Sequence, residues 1–408
     1  MRHRSSIRMI FVFLAALLFL LQGCATPTRL AAVPAQDTTR AEIPGVPNAR
    51  YWVDTDIEPF IRDAVAALQR EQVELARAGH RGPLPPVAFL AVSGGGDDGA
   101  FGAGLLVGWT ENGTRPEFKL VTGISTGALI APFAFLGSDY DDELRTVYTT
   151  IGPPDVLRPR GLLAALTSDG LADNAPLGEL ISRHINAEFL ARVAAEYEKG
   201  RLLLIGTTNL DARRPVIWNM GAIAVAARDN PKALDLFRRI MLASAAIPAA
   251  FPPTLFDVEV DGQPYQELHV DGGAMAQVFL YPPRMFDTLR SEGLKVTDRE
   301  RKVYIIRNAR LDPEWATVQR STLGIAGRAI SSLIQTQGLG DLYRIYLTAQ
   351  HDGLDYNLAF IGADFTAPRK EDFDNEYMRA LFDYGYQLGW KGYPWHKTPP
   401  GLTVAKTR

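Results

Sequence analysis

The chain has 408 residues, of which 47% are hydrophobic and 22% are charged, which is an ordinary globular composition with enough apolar residues for a large core. It fits one large α/β domain or two smaller ones. The net charge of −3 gives no general basic field, so nucleic acid is not expected as a partner, and the single cysteine excludes a disulfide framework.

Residues 1–24 are predicted to be an export signal and not part of the fold. A start with three arginines precedes an apolar run over residues 9–21, which is too short to span a bilayer as a helix. The run ends in Leu-Gln-Gly-Cys, which resembles a bacterial lipobox. We expect Cys24 to be lipidated and to anchor the mature chain, by analogy in the outer membrane of a Gram-negative bacterium, facing the periplasm. The alternative is a plain signal peptide.

The segment that follows the signal is predicted to be a spacer and then a helix. Residues 25–50 are rich in Ala, Thr and Pro, which is typical of an extended, flexible tether. Residues 51–86 form an N-terminal helical segment, in which apolar residues at helical spacing predict a helix from Glu58 to Ala78.

A glycine-rich turn follows the first predicted core strand, Val87–Val92, and reads Ser-Gly-Gly-Gly-Asp-Asp-Gly from Ser93. It leads to a predicted helix over residues 100–109. A P-loop would need Gly-Lys-Ser/Thr and does not fit. A dinucleotide fingerprint fits the glycine spacing but needs an acidic residue near the end of the second strand, which here ends in Gly-Ile-Ser. The turn therefore fits an oxyanion hole made of backbone N–H groups, with a simple tight turn as the alternative.

The second predicted strand, Phe118–Gly123, passes through Gly-Ile-Ser-Thr-Gly directly into a helix, which is the G-x-S-x-G pattern between a strand and a helix. Ser125 would lie at a strained tip, with its hydroxyl beyond the end of the strand. Gly123 and Gly127 lack side chains, so that strand and helix can approach closely. The helix N-terminus would direct its positive end at charge that develops there.

The rest of the chain is predicted to alternate between strands and helices. Residues 137–180 are irregular and are expected to line or cover the site. One later strand ends in Asp271-Gly272-Gly273, which by itself is also compatible with a common Asp-Gly turn. The other predicted elements are helices over 188–199, 232–243 and 324–350, strands over 201–209, 215–220 and 302–308, and a helical, aromatic-rich segment over 372–395.

Four motifs in this order resemble the patatin-like phospholipase family. They are Gly-Gly-Gly-Asp-Asp-Gly, Gly-Ile-Ser-Thr-Gly, Ala-Ser-Ala-Ala-Ile-Pro with Phe-Pro-Pro, and Asp-Gly-Gly. The resemblance implies a three-layer α/β/α sandwich with a mainly parallel central sheet. It implies a catalytic core over residues 87–283, completed by an α/β extension over residues 284–408.

The resemblance also implies the chemistry. Ser125 would be the nucleophile and Asp271 its general base, in a Ser–Asp dyad that hydrolyses lipid acyl esters through an acyl-enzyme, without metal or cofactor. The oxyanion donors would be Gly94, Gly95 and Gly96. The supporting glycines would be Gly99, Gly123, Gly127, Gly272 and Gly273.

Two acidic residues depart from the family pattern, which usually has Arg or Lys before the last glycine of the oxyanion motif. Here that position is Asp98, preceded by Asp97. Two acids would repel an anionic head group, so a neutral ester is an alternative to a phospholipid.

Two other functions remain open at this point. One is an α/β-hydrolase-type esterase with a Ser–Asp–His triad, in which His351 or His396 follows the acid in chain order. The other is a non-catalytic lipoprotein that binds lipids in the cell envelope. The oligomeric state is not indicated by the sequence.

Overall fold

The computed structural model describes residues 28–161, 168–283, 285–291 and 299–402. The predicted signal, Cys24 and the first residues of the predicted tether lie outside these ranges. Within the described ranges, no helix has the length and apolar character that a transmembrane span requires.

The described residues form a nine-stranded sheet and a separate two-stranded one. The order along the main sheet is β1-β7-β6-β3-β2-β10-β11, with β9 also paired to β6 and β8 paired to β9. The five neighbouring strands β6, β3, β2, β10 and β11 are mutually parallel. The strands β1, β7, β8 and β9 form antiparallel pairs. The strands are β1 Arg50–Tyr51, β2 Val87–Val92, β3 Phe118–Gly123, β4 Arg158–Pro159, β5 Ala172–Asp173, β6 Leu202–Asn209, β7 Arg214–Asn219, β8 Thr254–Val260, β9 Gln263–Asp271, β10 Arg301–Arg310 and β11 Asp355–Ile361.

Helices cover both faces of the sheet. The α-helices of the described residues are α1 Glu58–Arg77, α2 Gly99–Glu111, α3 Thr126–Leu136, α4 Asp141–Thr150, α5 Pro153–Val156, α6 Ala175–His184, α7 Ala187–Glu198, α8 Met220–Ala226, α9 Lys232–Ser244, α10 Met285–Ser291, α11 Thr322–Asp352 and α12 Asn375–Trp390. The predicted three-layer α/β architecture with a mainly parallel central sheet is confirmed.

The alternation of side chains along the central strands divides the core in two. On β2, Leu90 and Val92 face the cluster that α2, α3, α9 and α12 cover. Phe89 and Ala91, which alternate with them, face the cluster beneath α1, α10 and the C-terminal half of α11. Because both faces of these strands are buried, they read as continuous apolar runs in the sequence, as parallel strands do.

Residues 137–180 contain more structure than the predicted irregular segment. Helix α4 lies there, and α6 begins at Ala175. Leu144 and Tyr148 of α4 are buried against the core, but the acidic first turn and the flanking prolines obscured the helical pattern. Strand β11, with its polar start at Asp355, was not predicted either.

The prediction of an extended tether over residues 25–50 does not hold for the described part of that segment. Glu42 pairs with Glu259 of β8 through two backbone hydrogen bonds of 3.0 Å. Ala41 and Val46 are buried, and Arg50 forms a buried ion pair with Glu267. The segment packs on the β8–β9 hairpin because its few apolar residues find partners there.

Candidate active site

Ser125 occupies a strained turn between β3 and α3. Its φ of 56° and ψ of −128° place a non-glycine residue in a sparsely populated conformation, as expected for a nucleophile at the tip of a strand–turn–helix. Its amide donates a 3.0 Å hydrogen bond to the hydroxyl oxygen of Ser244, which in turn donates to the carbonyl of Gly206 at 2.7 Å. The last residue of α9, Ser244, therefore holds the strained turn in place through the amide of Ser125.

Asp271 ends β9 and lies next to Ser125. The hydroxyl of Ser125 hydrogen-bonds the Asp271 carboxylate, and the amide of Gly273 donates to the same carboxylate at 2.6 Å. Asp271 is 4% exposed and Ser125 is 7% exposed. Burial raises the pKa of Asp271 to about 7, and the two hydrogen bonds lower it in part. The pair thus combines a hydroxyl with a carboxylate that takes up a proton near neutral pH.

The glycines of the motifs allow backbone segments to pack closely around this pair. A Cβ atom at Gly99, Gly123, Gly127 or Gly272 would lie between 2.1 and 2.5 Å from a neighbouring oxygen atom. Such distances are sterically forbidden, so the supporting role predicted for these positions agrees with the geometry. Gly273 acts differently, since it holds the carboxylate with its N–H group.

The glycine turn lies beside Ser125 but does not offer all of its predicted donors. The N–H of Gly94 donates to the carbonyl of Gln277 at 3.0 Å, so its predicted role as an oxyanion donor does not fit. Within the described ranges, the N–H groups of Gly95 and Gly96 have no protein acceptor. These two amides remain as candidate donors for a developing oxyanion.

Two buried residues at the end of β10 hold the glycine turn in place. Asn308 binds both the hydroxyl and the carbonyl of Ser93 and accepts from the N–H of Gly102 at 3.0 Å. Arg307 donates to the carbonyl of Gly94 at 3.2 Å, and burial lowers the pKa of this arginine to about 10. A Cβ atom at Gly95 would lie 2.0 Å from the Asn308 carbonyl oxygen, so this close approach requires glycine.

The sequence did not single out Ser244 or Gln277 as functional residues. Ser244 belongs to the Ala-Ser-Ala-Ala-Ile-Pro motif, and its hydroxyl accepts a hydrogen bond from the amide of Ser125. Gln277 links the two halves of the site, because its carbonyl accepts from Gly94 and its side chain donates to the carbonyl of Gly273 at 2.7 Å. The motif around Ser244 does not indicate its partner and Gln277 lies in no motif, so only the fold identifies these contacts.

The two acidic residues of the glycine turn are engaged by the C-terminal part of the chain. The Asp97 carboxylate accepts from Arg369 at 2.9 Å and from the amide of Phe373 at 3.0 Å. Asp98 accepts a 2.6 Å hydrogen bond from the hydroxyl of Tyr377, and burial raises the pKa of Asp98 to about 7. Since protein groups compensate Asp97, the argument that a pair of free acids repels an anionic head group loses its basis.

The histidines considered for a triad bond to other residues. His351 lies on α11 with its Nδ1 at 2.9 Å from Asp352, and the backbone of His396 pairs with Leu358. His269 is fully buried between Thr207 and Glu267. Among the histidines that the structure describes, none is bonded to Asp271 or Ser125, so the geometry favours a dyad over a triad.

An apolar cavity of about 340 Å³ lies near the Ser125–Asp271 pair, although neither of these two residues is part of its wall. Its wall includes Ile124 and Gly272, the residues adjacent to Ser125 and Asp271 in the chain. The other side is formed by segment 275–283 and by Ile345 of α11. A cavity with this lining can accommodate an alkyl chain.

The comparison with family models agrees with the motifs. The family model described as patatin-like phospholipase matches residues 90–282. No curated protein sequence is similar to this chain. Among solved structures, VipD from Legionella pneumophila is 11% identical, with a TM-score of 0.36 over 75% of this chain and 66% of VipD. The type III effector protein ExoU is 13% identical, with a TM-score of 0.19 over 76% of this chain and 53% of ExoU. The chain thus spans less than two thirds of the length of either protein.

Proposed function

Residues 90–282 belong to the patatin-like phospholipase family, and on that premise we propose that the chain is a serine hydrolase that cleaves lipid acyl esters. The observation that carries the proposal is the interaction of the Ser125 hydroxyl with the buried Asp271 carboxylate, whose pKa burial raises to about 7. A serine hydroxyl is a weak nucleophile until a base accepts its proton. A carboxylate of ordinary pKa is a poor base at neutral pH, and burial removes that deficiency.

In the proposed acylation step, the Ser125 oxygen attacks the ester carbonyl carbon while Asp271 accepts the hydroxyl proton. The carbonyl oxygen becomes an oxyanion, which the N–H groups of Gly95 and Gly96 stabilise. When the bond to the alcohol oxygen breaks, the proton held by Asp271 passes to the leaving alcohol. The products of this step are the free alcohol and an ester of the fatty acid with Ser125.

In the proposed deacylation step, water takes the place of the alcohol. Asp271 accepts a proton from the water as its oxygen attacks the acyl carbon, and the same N–H groups stabilise the second oxyanion. The Ser125 oxygen then leaves and recovers the proton from Asp271. The fatty acid is released and the enzyme returns to its starting state.

The apolar cavity near the pair supports an acyl chain as the substrate portion that is recognised. Burial of each methylene contributes about 0.8 kcal/mol, so a long chain would bind far more strongly than an acetyl group. Compensation of Asp97 by Arg369 removes the repulsion expected for an anionic phospholipid, so such a lipid remains a candidate substrate beside neutral esters.

The test is hydrolysis by the full chain of a short p-nitrophenyl ester and of phospholipid in mixed micelles. We expect Ser125→Ala and Asp271→Asn each to lower kcat/KM by at least 10²–10⁴ on both substrates. Ser331→Ala is the matched control, because the Ser331 hydroxyl bonds the carbonyl of Gly327 on its own helix. Its kcat/KM should equal that of the wild type on both substrates. Equal activity of wild type and Ser125→Ala on every ester tested would favour the non-catalytic, lipid-binding alternative.

We also propose that the protein is attached to a membrane of the cell envelope through lipidated Cys24, facing the periplasm from the outer membrane. The support is the lone cysteine after Leu-Gln-Gly, which lies outside the described residues. Only a thiol can form the thioether to the lipid, so Cys24→Ser should remove incorporation of a labelled fatty acid in growing cells. Equal labelling of Cys24→Ser and wild type would contradict the attachment.

A further inference from the structure

The N-terminal half of α11 exposes large apolar side chains. Ile330 is 52% exposed and Leu333 is 69% exposed, and Ile325 and Ile334 are exposed as well. The C-terminal half of the same helix is different, because Leu342, Ile345 and Ala349 are buried against the sheet. The helix thus continues beyond the body of the protein with its apolar residues uncovered.

The exposed half has an apolar face, and the opposite face, which carries polar residues and Ile325, is turned toward the preceding loop. At 3.6 residues per turn, Ile330, Leu333 and Ile334 share one face, whereas Arg328 and Gln335 lie on the opposite one. Arg328 donates to the carbonyl of Glu314, and Gln335 donates to that of Asp312 at 3.1 Å. The loop therefore occupies the opposite face and leaves the apolar face outward.

Arginines are the charged residues within the exposed segment, which Asp312 and Glu314 precede and Asp341 follows. Residues 315–340 contain Arg320 and Arg328 and no aspartate or glutamate, although the whole chain has a net charge of −3. Trp315, in the loop beside the helix, is 88% exposed. Arginine and tryptophan beside an apolar helix face are the residues that favour an interface between water and an anionic lipid layer.

The apolar face leads toward the Ser125 site. Gln337 follows Ile334 by three residues on the same face, and its side-chain oxygen accepts from Gln277 at 3.1 Å. Gln277 in turn bonds Gly94 in the glycine turn. Met275, in the segment that follows Asp271, is also exposed.

We propose that the face formed by Ile330, Leu333 and Ile334 docks on an anionic lipid surface. Docking there brings the oxyanion turn and the cavity to the layer in which ester lipids lie. The proposal rests on the proposed function for what is hydrolysed, but lipid binding by this face is independent of catalysis.

The first test labels the face in the full chain with an environment-sensitive fluorophore. In the Cys24→Ser background, Leu333→Cys is labelled at the face, and Leu347→Cys is the matched control on the same helix, since Leu347 is 66% exposed. We expect vesicles of phosphatidylcholine with phosphatidylglycerol to shift the emission of the label at position 333 to the blue, with at most a small shift at 347. The N-terminal apolar run is common to both proteins and cannot produce a difference between them.

Several outcomes would overturn the proposal. They are the absence of a shift at position 333, an equal shift at both positions, an equal shift on pure phosphatidylcholine, and a shift that depends on protein concentration without vesicles. The last would indicate that a second copy of the chain covers the face.

The second test separates docking from catalysis. Ile330→Gln combined with Leu333→Gln should lower hydrolysis of vesicle lipid about tenfold and leave kcat/KM for a short soluble ester within twofold of wild type. An equal loss on both substrates, or no loss on vesicles, would contradict docking. With Ser125→Ala, the emission of the label at position 333 should still shift to the blue on vesicles. Failure of the proposed hydrolysis would therefore be distinguishable from failure of docking.

Discussion

The hydroxyl of Ser125 hydrogen-bonds the carboxylate of Asp271 although the strands that carry these two residues to the site do not pair with each other. Ser125 follows β3 and Asp271 ends β9, and β6 lies between these strands and pairs with both. Because β9 pairs antiparallel with the end of β6, Asp271 lies next to Ser125. Burial at this junction raises the pKa of Asp271 to about 7, which has a direct consequence for the pH dependence of the reaction.

The first prediction is that kcat/KM for a short, non-ionising ester rises with pH through about 7 and is flat above it. Asp271 accepts a proton only in its ionised form, and below pH 7 most of the free protein holds it protonated. The measurement is kcat/KM between pH 5 and 9. Asp98 also has a pKa raised to about 7, so Asp98→Asn is the control and should keep the same acidic limb. A profile that is flat from pH 5 would contradict Asp271 as the base.

The second prediction concerns stability and Asp98. Its raised pKa means that, between about pH 4 and 7, the folded state holds a proton that the unfolded state releases. The wild type therefore loses stability as pH rises through this window, and Asp98→Asn does not share that loss. We expect the advantage of Asp98→Asn in free energy of unfolding to grow by roughly 1–3 kcal/mol from pH 4 to 7 and to stay constant above it. Urea unfolding at several pH values measures it, with the exposed Asp229→Asn as control.

The third prediction separates a structural histidine from a catalytic one. His269 bonds Thr207 at 2.9 Å and Glu267 at 3.1 Å, so His269→Ala should lower the free energy of unfolding by about 1–3 kcal/mol. Its kcat/KM should remain within about tenfold of the wild type, as should that of His351→Ala and His396→Ala. Thermal unfolding and steady-state kinetics on one ester give both quantities. A loss above a thousandfold in a well-folded His351 or His396 variant would support a triad.

The fourth prediction concerns Ser244, which holds the amide of Ser125 at 3.0 Å. Ser244→Ala leaves that buried amide without its acceptor and relaxes the strained turn. We expect kcat to fall about tenfold with little change in KM, because the substrate still binds. Ser244→Thr, which retains a hydroxyl, should recover part of the loss, and an unchanged kcat in Ser244→Ala would show that the turn is fixed without this contact.

The sequence predicted the central strands and the two catalytic candidates because each carries a local signal. Val87–Val92 and Phe118–Gly123 are continuous apolar runs, and Ser125 follows one of them inside a glycine pattern. Gly94 was predicted as a donor because adjacent glycines look alike in sequence. Its amide is taken by Gln277, which lies far along the chain, and no local pattern reports such a contact. The same reason explains why the contacts of Ser244 with Ser125 and of Asn308 with the glycine turn were not predicted.

The last prediction concerns the cavity near the Ser125–Asp271 pair. Ala276 is part of its wall, so Ala276→Phe would fill space that we assign to the acyl chain. Loss of room for two methylenes costs about 1.6 kcal/mol, which corresponds to more than tenfold in kcat/KM for a long-chain ester. A four-carbon ester should be affected by less than threefold. The matched control is Ala274→Phe, at an exposed position two residues earlier that is not part of the wall. Activities on p-nitrophenyl esters of increasing chain length measure the effect, and a parallel loss on all chain lengths would show that the acyl chain lies elsewhere.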